Sequence, residues 1–419
     1  MSTDGTGDER ARILVLNQYY WPGVEATAHL LTQLCEALAE DYEVEVVTGV
    51  LHGYEDEPRD VVHNRVHVTR VASTSYERSR LGRRAVNYAS YLGSALQRAL
   101  SGPKPDLVVC MTDPPIIGDL GVIVGHRVGA PVVVISQDVF PEIATELHRL
   151  TNPAVVGVLR TLVGAYLRRA DRIVAIGEKM RERLVEKGAP PERVRVIPNW
   201  IDTHEITPQP RDNPWAEQHD LVGRFVVMHS GNVGHAQDLD SLVRAATFLR
   251  DREDARVVIV GFGARHAEMV ELASRLEVED TVRFLPYQKR ARLPWSLSSA
   301  DVHVVGLARG LAGYVVPSRL YGILAAGRPV IVSADDESET ARLVREIGCG
   351  VVIPPTRPDL LARTIREAAD GALELEEMGR RGREYVVEEA DRIVAMERYR
   401  ALVREMLRAP SAAQAQSPA

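Results

Sequence analysis

The chain has 419 residues, 45% of them apolar and 26% charged, and its formal net charge at pH 7 is −7. This length favours two domains of roughly 200 residues each, and the composition favours neither a disordered nor a membrane class. The acidic balance argues against nucleic acid as the main partner. No apolar run reaches the roughly 18 residues that a membrane-spanning helix needs.

The N-terminus and the cysteines predict a cytoplasmic protein. The opening stretch MSTDGTGDER is polar and lacks the apolar core of a secretory signal. Cys35, Cys110 and Cys349 are scattered and form no paired spacing with histidine. We therefore expect neither a disulfide nor a zinc site, and we interpret all three cysteines as core residues.

The first half of the chain alternates short apolar strands with helices. The strand ILVLN ends in a Pro-Gly turn, and the helical pattern ATAHLLTQLCEALAE and the strand YEVEVVTG follow. Similar units recur around PDLVVCM, VVVIS and DRIVAIG. This alternation predicts a parallel, doubly wound sheet. We expect a disordered tail at residues 1–10 and a first domain at residues 11–205.

The first domain also has an uneven charge distribution. Between Arg65 and Lys104 there are eight basic residues and one acidic residue, Glu77. The centre of this stretch reads SYERSRLGRRAVNYASYLGSALQRAL. Two interpretations stay open: a cationic helix that touches an anionic membrane or acceptor, or a solvated helix face.

The second half repeats the pattern after an irregular stretch rich in proline. Apolar periodicity lapses around NWIDTHEITPQPRDNPW, so we expect a linker at residues 206–222. A second doubly wound domain is predicted at residues 223–384. A helix at about residues 385–408 is long enough to return to the first domain, and residues 409–419 form a low-complexity tail. Two such domains bind ligands in the cleft between them.

Two turns of the first domain carry candidate site residues. Gly23 lies just before a helix, where a glycine lets a phosphate approach the backbone amides. In the turn SQDVFPE, Gln137, Asp138 and Glu142 follow the strand VVVIS. We expect these three side chains to face the cleft and to bind the acceptor, with Asp138 or Glu142 orienting a hydroxyl. Helix capping by Asp138 is the alternative.

Three turns of the second domain supply candidate donor-binding residues. In SGNVGHAQDLDSL, Gly231 forms a turn that suits an anion, and Asn232 and Gln237 are uncharged hydrogen-bond donors. Gly263 belongs to a tight G-x-G turn after the next strand. Tyr287 ends a further strand, where exposed backbone groups can meet a nucleobase.

The segment GYVVPSRLYGILAAGRPVI contains a loop and then a helix. Ser318 precedes the helix and is predicted to cap it, and Arg319 suits two phosphate oxygens. A cation in the first turn of a helix is unfavourable, because the helix dipole is positive at that end, unless an anion lies nearby. We therefore predict that Arg319 binds a diphosphate. The alternative is that Pro317 and Ser318 simply begin a helix.

Together these motifs resemble those of the retaining glycosyltransferases of family four, which have the GT-B fold. The markers are YYWPGVEAT, SQDVFPE, VIPNWID, SGNVGHAQDLDSL and VPSRLYGILAAGRPVI. Among family members, the pattern is most similar to bacterial enzymes of the fucosamine-transferase and colanic-acid type, which build surface polysaccharides. The resemblance spans about residues 12–407 and implies two Rossmann-like α/β domains that face each other across a cleft.

The chain departs from this family at five positions, one of which is Gln137, where many members have a histidine. Two glutamates of the family correspond to Tyr314 and Gly322. Since the second glutamate normally holds the donor ribose in this family, the resemblance implies that ribose recognition here is either different or weaker. The arginine and lysine that the family places on the donor diphosphate correspond to Asn232 and Gln237, which leaves Arg319 as the leading cation.

The resemblance implies transfer of a hexosyl or N-acetylhexosaminyl group from a nucleotide diphosphate sugar to an acceptor hydroxyl, with retention. Arg319 and Asp138 are the catalytic candidates. No cofactor is implied, and the lack of an Asp-x-Asp motif at a suitable turn predicts independence from metal. The acceptor is either a lipid-linked sugar at the inner membrane surface or a soluble secondary metabolite. A nucleotide-sugar epimerase and a binding subunit without catalysis are the other functions left open.

Overall fold

The computed structural model describes residues 10–23, 26–74 and 81–408. Within these residues the chain folds around one sheet of eight strands and one of six. Their central strands are rich in valine and isoleucine and are buried almost throughout, as expected when helices cover both faces of a parallel sheet.

The first sheet is built from the N-terminal half of the chain. Its strands are β1 (Arg12–Leu16), β2 (Glu43–Gly49), β3 (Asp60–His63), β4 (Val66–Val71), β5 (Leu107–Met111), β6 (Val132–Ser136), β7 (Arg172–Ala175) and β8 (Val194–Val196). They lie in the order β3-β4-β2-β1-β5-β6-β7-β8, and all neighbours are parallel except β3 and β4. Its helices are α1 (Ala26–Leu38), α2 (Leu81–Ser101), α3 (Ile117–Val128), α4 (Glu142–Glu146), α5 (Pro153–Arg169) and α6 (Glu178–Glu186).

The second sheet is parallel throughout. Its strands are β9 (Phe225–Ser230), β10 (Ala255–Val260), β11 (Val282–Leu285), β12 (Val302–Gly306), β13 (Val330–Ser333) and β14 (Gly350–Ile353). They lie in the order β11-β10-β9-β12-β13-β14. The accompanying helices are α7 (Pro214–Gln218), α8 (Leu239–Ala245), α9 (His266–Arg275), α10 (Leu293–Ser298), α11 (Arg319–Ala325), α12 (Glu339–Ile347), α13 (Pro358–Ala369), α14 (Leu375–Glu389) and α15 (Arg392–Arg408).

The stretch predicted as a linker, residues 206–222, packs in part into the second domain. Trp215 and Leu221 are buried against Met228 of β9. The Trp215 indole also donates a hydrogen bond to Gln288 Oε1 at 3.0 Å. The chain from α7 onward therefore contributes to the second core, because this part of the stretch buries its apolar side chains.

The C-terminal segment forms two helices where one long helix was expected. α14 ends at Glu389, and the Asp391 carboxylate accepts hydrogen bonds from the Ile393 and Thr203 amides at 2.7 and 3.1 Å. This carboxylate begins a new helix and changes the chain direction. α15 then packs on the first sheet, where Tyr399 and Leu402 are buried with α1.

The two domains contact each other directly along α6. Gly313, with a φ of +80°, lies so close that a Cβ there would be 2.9 Å from the Lys179 carbonyl oxygen. The buried Glu339 of α12 accepts a hydrogen bond from the Lys179 amide at 3.0 Å. The two domains thus contact each other at the loop after β7 and the start of α6. This contact places the carboxyl edges of the two sheets opposite each other.

Candidate active site

Two loops from different domains pair across the cleft. The Val139 amide, in the turn after β6, donates a hydrogen bond to the Tyr314 carbonyl at 2.8 Å. Asp138 and Val315 form an isolated antiparallel bridge. Val316 is buried among the apolar residues of the first domain. The turn SQDVFPE and the segment GYVVPSR therefore form one continuous wall of the cleft.

The resemblance predicts that Tyr314 occupies the position of the first family glutamate. Its ring lies under the Arg183 guanidinium, 5.1 Å from Cζ to the ring centroid. At the position of the second glutamate, Gly322 has ample room, because a Cβ there would meet only Leu297 Cδ1, at 3.8 Å. Tyr314 therefore contacts the first domain through Arg183. Gly322 leaves open space near the start of α11.

The donor turn, defined here as residues 231–237 after β9, packs backbone to backbone on the turn after β10. Gly261 has a φ of +140°, and a Cβ on it would lie 1.9 Å from the Gly231 carbonyl oxygen. A Cβ on Gly263 would lie 2.4 Å from Asn232 Oδ1. Only glycine fits at residues 261 and 263, since both backbone conformation and space exclude a side chain.

The polar side chains of the donor turn carry no charge. Gln237 Oε1 accepts a hydrogen bond from the Gly234 amide at 3.0 Å, so this side chain stabilises the turn itself. Asn232 is exposed. Both positions stay predictions for donor binding, with Asn232 the more accessible of the two.

Arg319 lies beside the donor turn and is held by a histidine. Its Nη1 is 2.9 Å from Nε2 and 3.2 Å from Nδ1 of His229, which is fully buried in β9. Burial and the charge of Arg319 lower the pKa of His229 well below its usual range, so the ring is neutral. In the described chain no carboxylate lies within ion-pairing distance of Arg319. Burial lowers the pKa of Arg319 to about 10, and the group stays charged at neutral pH.

Ser318 does not cap α11 through its side chain. Its backbone is already helical, with φ −62° and ψ −21°, and its hydroxyl makes no capping hydrogen bond. A cap requires an extended residue whose side chain turns back to the helix amides. The predicted capping role is therefore wrong, while the predicted place of Ser318 in the donor site stays a prediction.

The predicted acceptor-binding side chains make contacts within the protein. Gln137 and Asn199 exchange two amide hydrogen bonds, at 3.1 and 2.9 Å. Glu142 pairs with Lys187 at 2.6 Å and with Arg160 at 3.1 Å. Asp138 is half-buried beside the interdomain bridge. All three assignments to the acceptor stay predictions.

Two exposed aromatic rings follow neighbouring strands of the second sheet. Tyr287, a predicted donor contact, is 62% exposed after β11, and Phe262 is 68% exposed after the neighbouring strand β10. Phe262 stacks on His266 with 4.7 Å between ring centroids. Phe262 was not among the residues predicted from the sequence, although its place between Gly261 and Gly263 marks the tip of a tight turn.

The remaining candidates lie at the edge of the first domain. The Gly23 amide donates a hydrogen bond to the Tyr20 carbonyl at 2.8 Å, and residues 24–25 fall outside the described chain. Arg149, which the sequence analysis missed, follows α4, whose end packs on the second domain through Leu147. Burial and then the charge of Arg149 lower the pKa of His235 in the donor turn. Arg149 thus brings positive charge toward the donor turn from the opposite domain.

Comparison with known proteins agrees with this architecture. The family described as Glycosyl transferase 4-like domain matches residues 25–200, and the family described as Glycosyl transferases group 1 matches residues 213–385. The chain therefore belongs to the glycosyltransferases of family four, and its two facing α/β domains form the GT-B fold. Both conclusions confirm the predictions made from the sequence.

The chain is similar in sequence to individual bacterial glycosyltransferases. The chain is 29% identical over 307 residues to the probable glycosyltransferase WbjE of Pseudomonas aeruginosa, covering 72% of this chain and 75% of the relative. It is 31% identical over 206 residues to the putative colanic acid biosynthesis glycosyl transferase WcaI of Escherichia coli, covering 48% and 50%. A D-inositol 3-phosphate glycosyltransferase of Salinispora arenicola is 32% identical over 215 residues, covering 47% and 46%.

Solved structures share the fold at low identity. HepE of Anabaena, crystallised with UDP, superposes with a TM-score of 0.73 at 14% identity, covering 94% of this chain and 100% of HepE. WaaG, a glycosyltransferase involved in lipopolysaccharide biosynthesis, has a TM-score of 0.71 at 16% identity, covering 93% and 99%.

Proposed function

We propose that this glycosyltransferase moves a sugar from a nucleoside diphosphate sugar to an acceptor hydroxyl, with retention of anomeric configuration. Arg319 carries the proposal: a cation beside a glycine turn that has no carboxylate partner in the described chain. A partly buried guanidinium without a counterion suits a dianionic diphosphate, because its N–H groups can contact two oxygens at once.

The chemistry follows from this charge. The bond from the anomeric carbon to the diphosphate breaks, the acceptor oxygen forms a new bond to that carbon, and the acceptor proton passes to a phosphate oxygen of the leaving group. Negative charge grows on the diphosphate as it departs, and Arg319 stabilises that charge. No strong protein base is needed, so Asp138 serves to orient the acceptor.

The nucleotide is proposed to extend from Arg319 toward the exposed rings of Phe262 and Tyr287. Phe262 follows β10, which pairs with β9 and so adjoins the donor turn, and Tyr287 follows β11, the next strand beyond β10. An exposed ring offers a nucleobase an apolar face for stacking. HepE, which shares this fold, has been crystallised with UDP, so a uracil nucleotide is the first donor to test.

For the acceptor we propose a lipid-linked sugar in the synthesis of a surface polysaccharide or glycolipid. The similarity to WbjE and WcaI supports this assignment. A soluble acceptor is the second candidate, and the similarity to D-inositol 3-phosphate glycosyltransferases favours it.

The test is nucleoside diphosphate release from UDP-sugars, GDP-sugars and dTDP-sugars, measured with and without acceptor. Release that needs both substrates and falls at least about tenfold in Arg319→Ala is expected, since a hydrogen bond to a charged group contributes about 1.5–3 kcal/mol. Arg363→Ala, which removes an exposed arginine from α13, is the matched control and should leave release unchanged. An epimerised donor without transfer would instead identify an epimerase.

A further inference from the structure

Three helices of the first domain form a strongly positive face. α2, α3 and α5 lie side by side on the first sheet, opposite the face that α1 and α15 cover. Their sequences contain seven arginines and a single acidic residue, Asp119, although the whole chain has a net charge of −7. Two of these arginines pair with carboxylates of neighbouring elements, Arg98 with Glu45 and Arg160 with Glu142. Basic residues are nevertheless concentrated on this side of an otherwise acidic protein.

The same helices expose apolar side chains where a solvated helix usually places polar ones. Val158 is 60% exposed and Ile123 is 54% exposed. The exposed apolar side chains are Val86 and Leu100 on α2, Ile123 on α3, and Val155 and Val158 on α5. We call the exposed residues of these three helices the docking face.

Exposed arginines lie at one end of the docking face. Arg127 ends α3, and Arg168 and Arg169 end α5. In the described chain none of the three lies within ion-pairing distance of a carboxylate. Their charge is available to an external anionic surface, unlike that of Arg160, which pairs with Glu142.

We propose that the docking face binds the surface of an anionic lipid bilayer. Valine and isoleucine side chains enter the boundary between headgroups and acyl chains, and the arginines contact anionic headgroups. Charge complementarity selects this partner, since an apolar surface with arginines at its edge matches a bilayer interface better than a uniformly charged polymer.

The orientation of the helices ties this face to the cleft. Each of α2, α3 and α5 begins near the carboxyl edge of the first sheet, because a helix that connects parallel strands runs opposite to them. The apolar residues Val86, Val155 and Val158 lie in the first turns of their helices. Resting on the proposed function, this geometry lets a lipid-linked acceptor enter the cleft while its lipid stays in the bilayer.

Flotation with vesicles tests the proposal. Phosphatidylcholine vesicles are compared with vesicles that also contain phosphatidylglycerol, at low and high salt. The wild type should float only with the anionic vesicles and should be released by salt. The double substitution Arg168→Gln with Arg169→Gln should weaken binding to the anionic vesicles roughly 30-fold, because each basic residue near an anionic surface contributes about 1 kcal/mol. Val155→Ser with Val158→Ser should weaken it independently of salt.

The matched control is Arg275→Gln with Arg363→Gln, which removes two exposed arginines from the second domain. An equal loss of binding in this control, or a wild type that stays unbound with anionic vesicles, overturns the proposal. Binding of the face to single-stranded DNA but not to vesicles overturns it as well. Thermal stabilisation by nucleotide sugars is measured in parallel. If the wild type is not stabilised, the proposed function is refuted. If the variant with both Arg168→Gln and Arg169→Gln is still stabilised but binds vesicles less tightly, membrane docking is separate from catalysis.

Discussion

Arg319 is fixed by a neutral imidazole rather than by a carboxylate. A carboxylate in this place would cancel the positive charge, whereas neutral His229 accepts a hydrogen bond and leaves the charge intact. His229 is fully buried in β9 and cannot be reached by substrate. Its role is therefore to position Arg319.

This role predicts a specific defect in His229→Leu. The variant keeps side-chain bulk but loses the acceptor, so Arg319 is held less firmly and nucleoside diphosphate affinity should fall about tenfold. His229→Gln keeps an acceptor and should recover most of the affinity. Isothermal titration with UDP measures both variants, with thermal unfolding as a check of the fold. Unchanged affinity in the leucine variant would contradict the positioning role.

At the scale of elements, the donor site depends on two turns that touch through their backbones. The turns after β9 and β10 meet at Gly231 and Gly261, and the G-x-G pattern leaves no side chain between them. The same contact sets the position of Phe262. Both the fold and the proposed donor site rely on this contact.

Gly261→Ala should therefore be strongly destabilising. The new Cβ would lie 1.9 Å from the Gly231 carbonyl oxygen, and its φ of +140° is unfavourable for alanine. We expect a loss of about 3 kcal/mol in the free energy of unfolding. Gly93→Ala on α2, with nothing within 4 Å of its Cβ, is the control and should stabilise by about 1 kcal/mol. Urea unfolding measures both, and similar stabilities would argue against the contact.

At the scale of the whole molecule, the second domain supplies the cap of a first-domain helix. Glu339 is 4% exposed, and its carboxylate accepts the Lys179 amide hydrogen bond at the start of α6. Arg342 bonds to the other carboxylate oxygen. A charged acceptor at a helix N-terminus is favourable, so this contact stabilises the arrangement in which the two cleft walls meet.

Glu339→Ala should loosen that arrangement. We expect faster hydrogen exchange at the Lys179 amide and a larger radius of gyration in X-ray scattering, because a charge-assisted hydrogen bond of about 1.5–3 kcal/mol is lost. Glu339→Gln keeps an acceptor oxygen and should show a smaller change. If exchange at Lys179 is the same in all three proteins, the contact does not hold the domains together.

The fold could be predicted from the sequence because the signals that specify it are local. Apolar strands that alternate with helices specify a doubly wound sheet through periodicity alone, and the GT-B fold confirmed that prediction. The break at Asp391 could not be predicted, because it depends on the Thr203 amide in a distant part of the chain. The side-chain cap predicted at Ser318 was wrong, because the backbone there is already helical.

The sequence by itself determined the two α/β domains, the family and the presence of an arginine at the start of α11. The tertiary structure decided which polar groups are engaged: Gln137 bonds to Asn199 and Glu142 to Lys187, whereas Arg319 meets neutral His229 and, within the described residues, no carboxylate. The periodicity of apolar residues depends only on residues that are close together in the sequence. The partner of a buried charge is set by chain segments that meet only after folding, and so the charge left for the substrate is a property of the folded molecule.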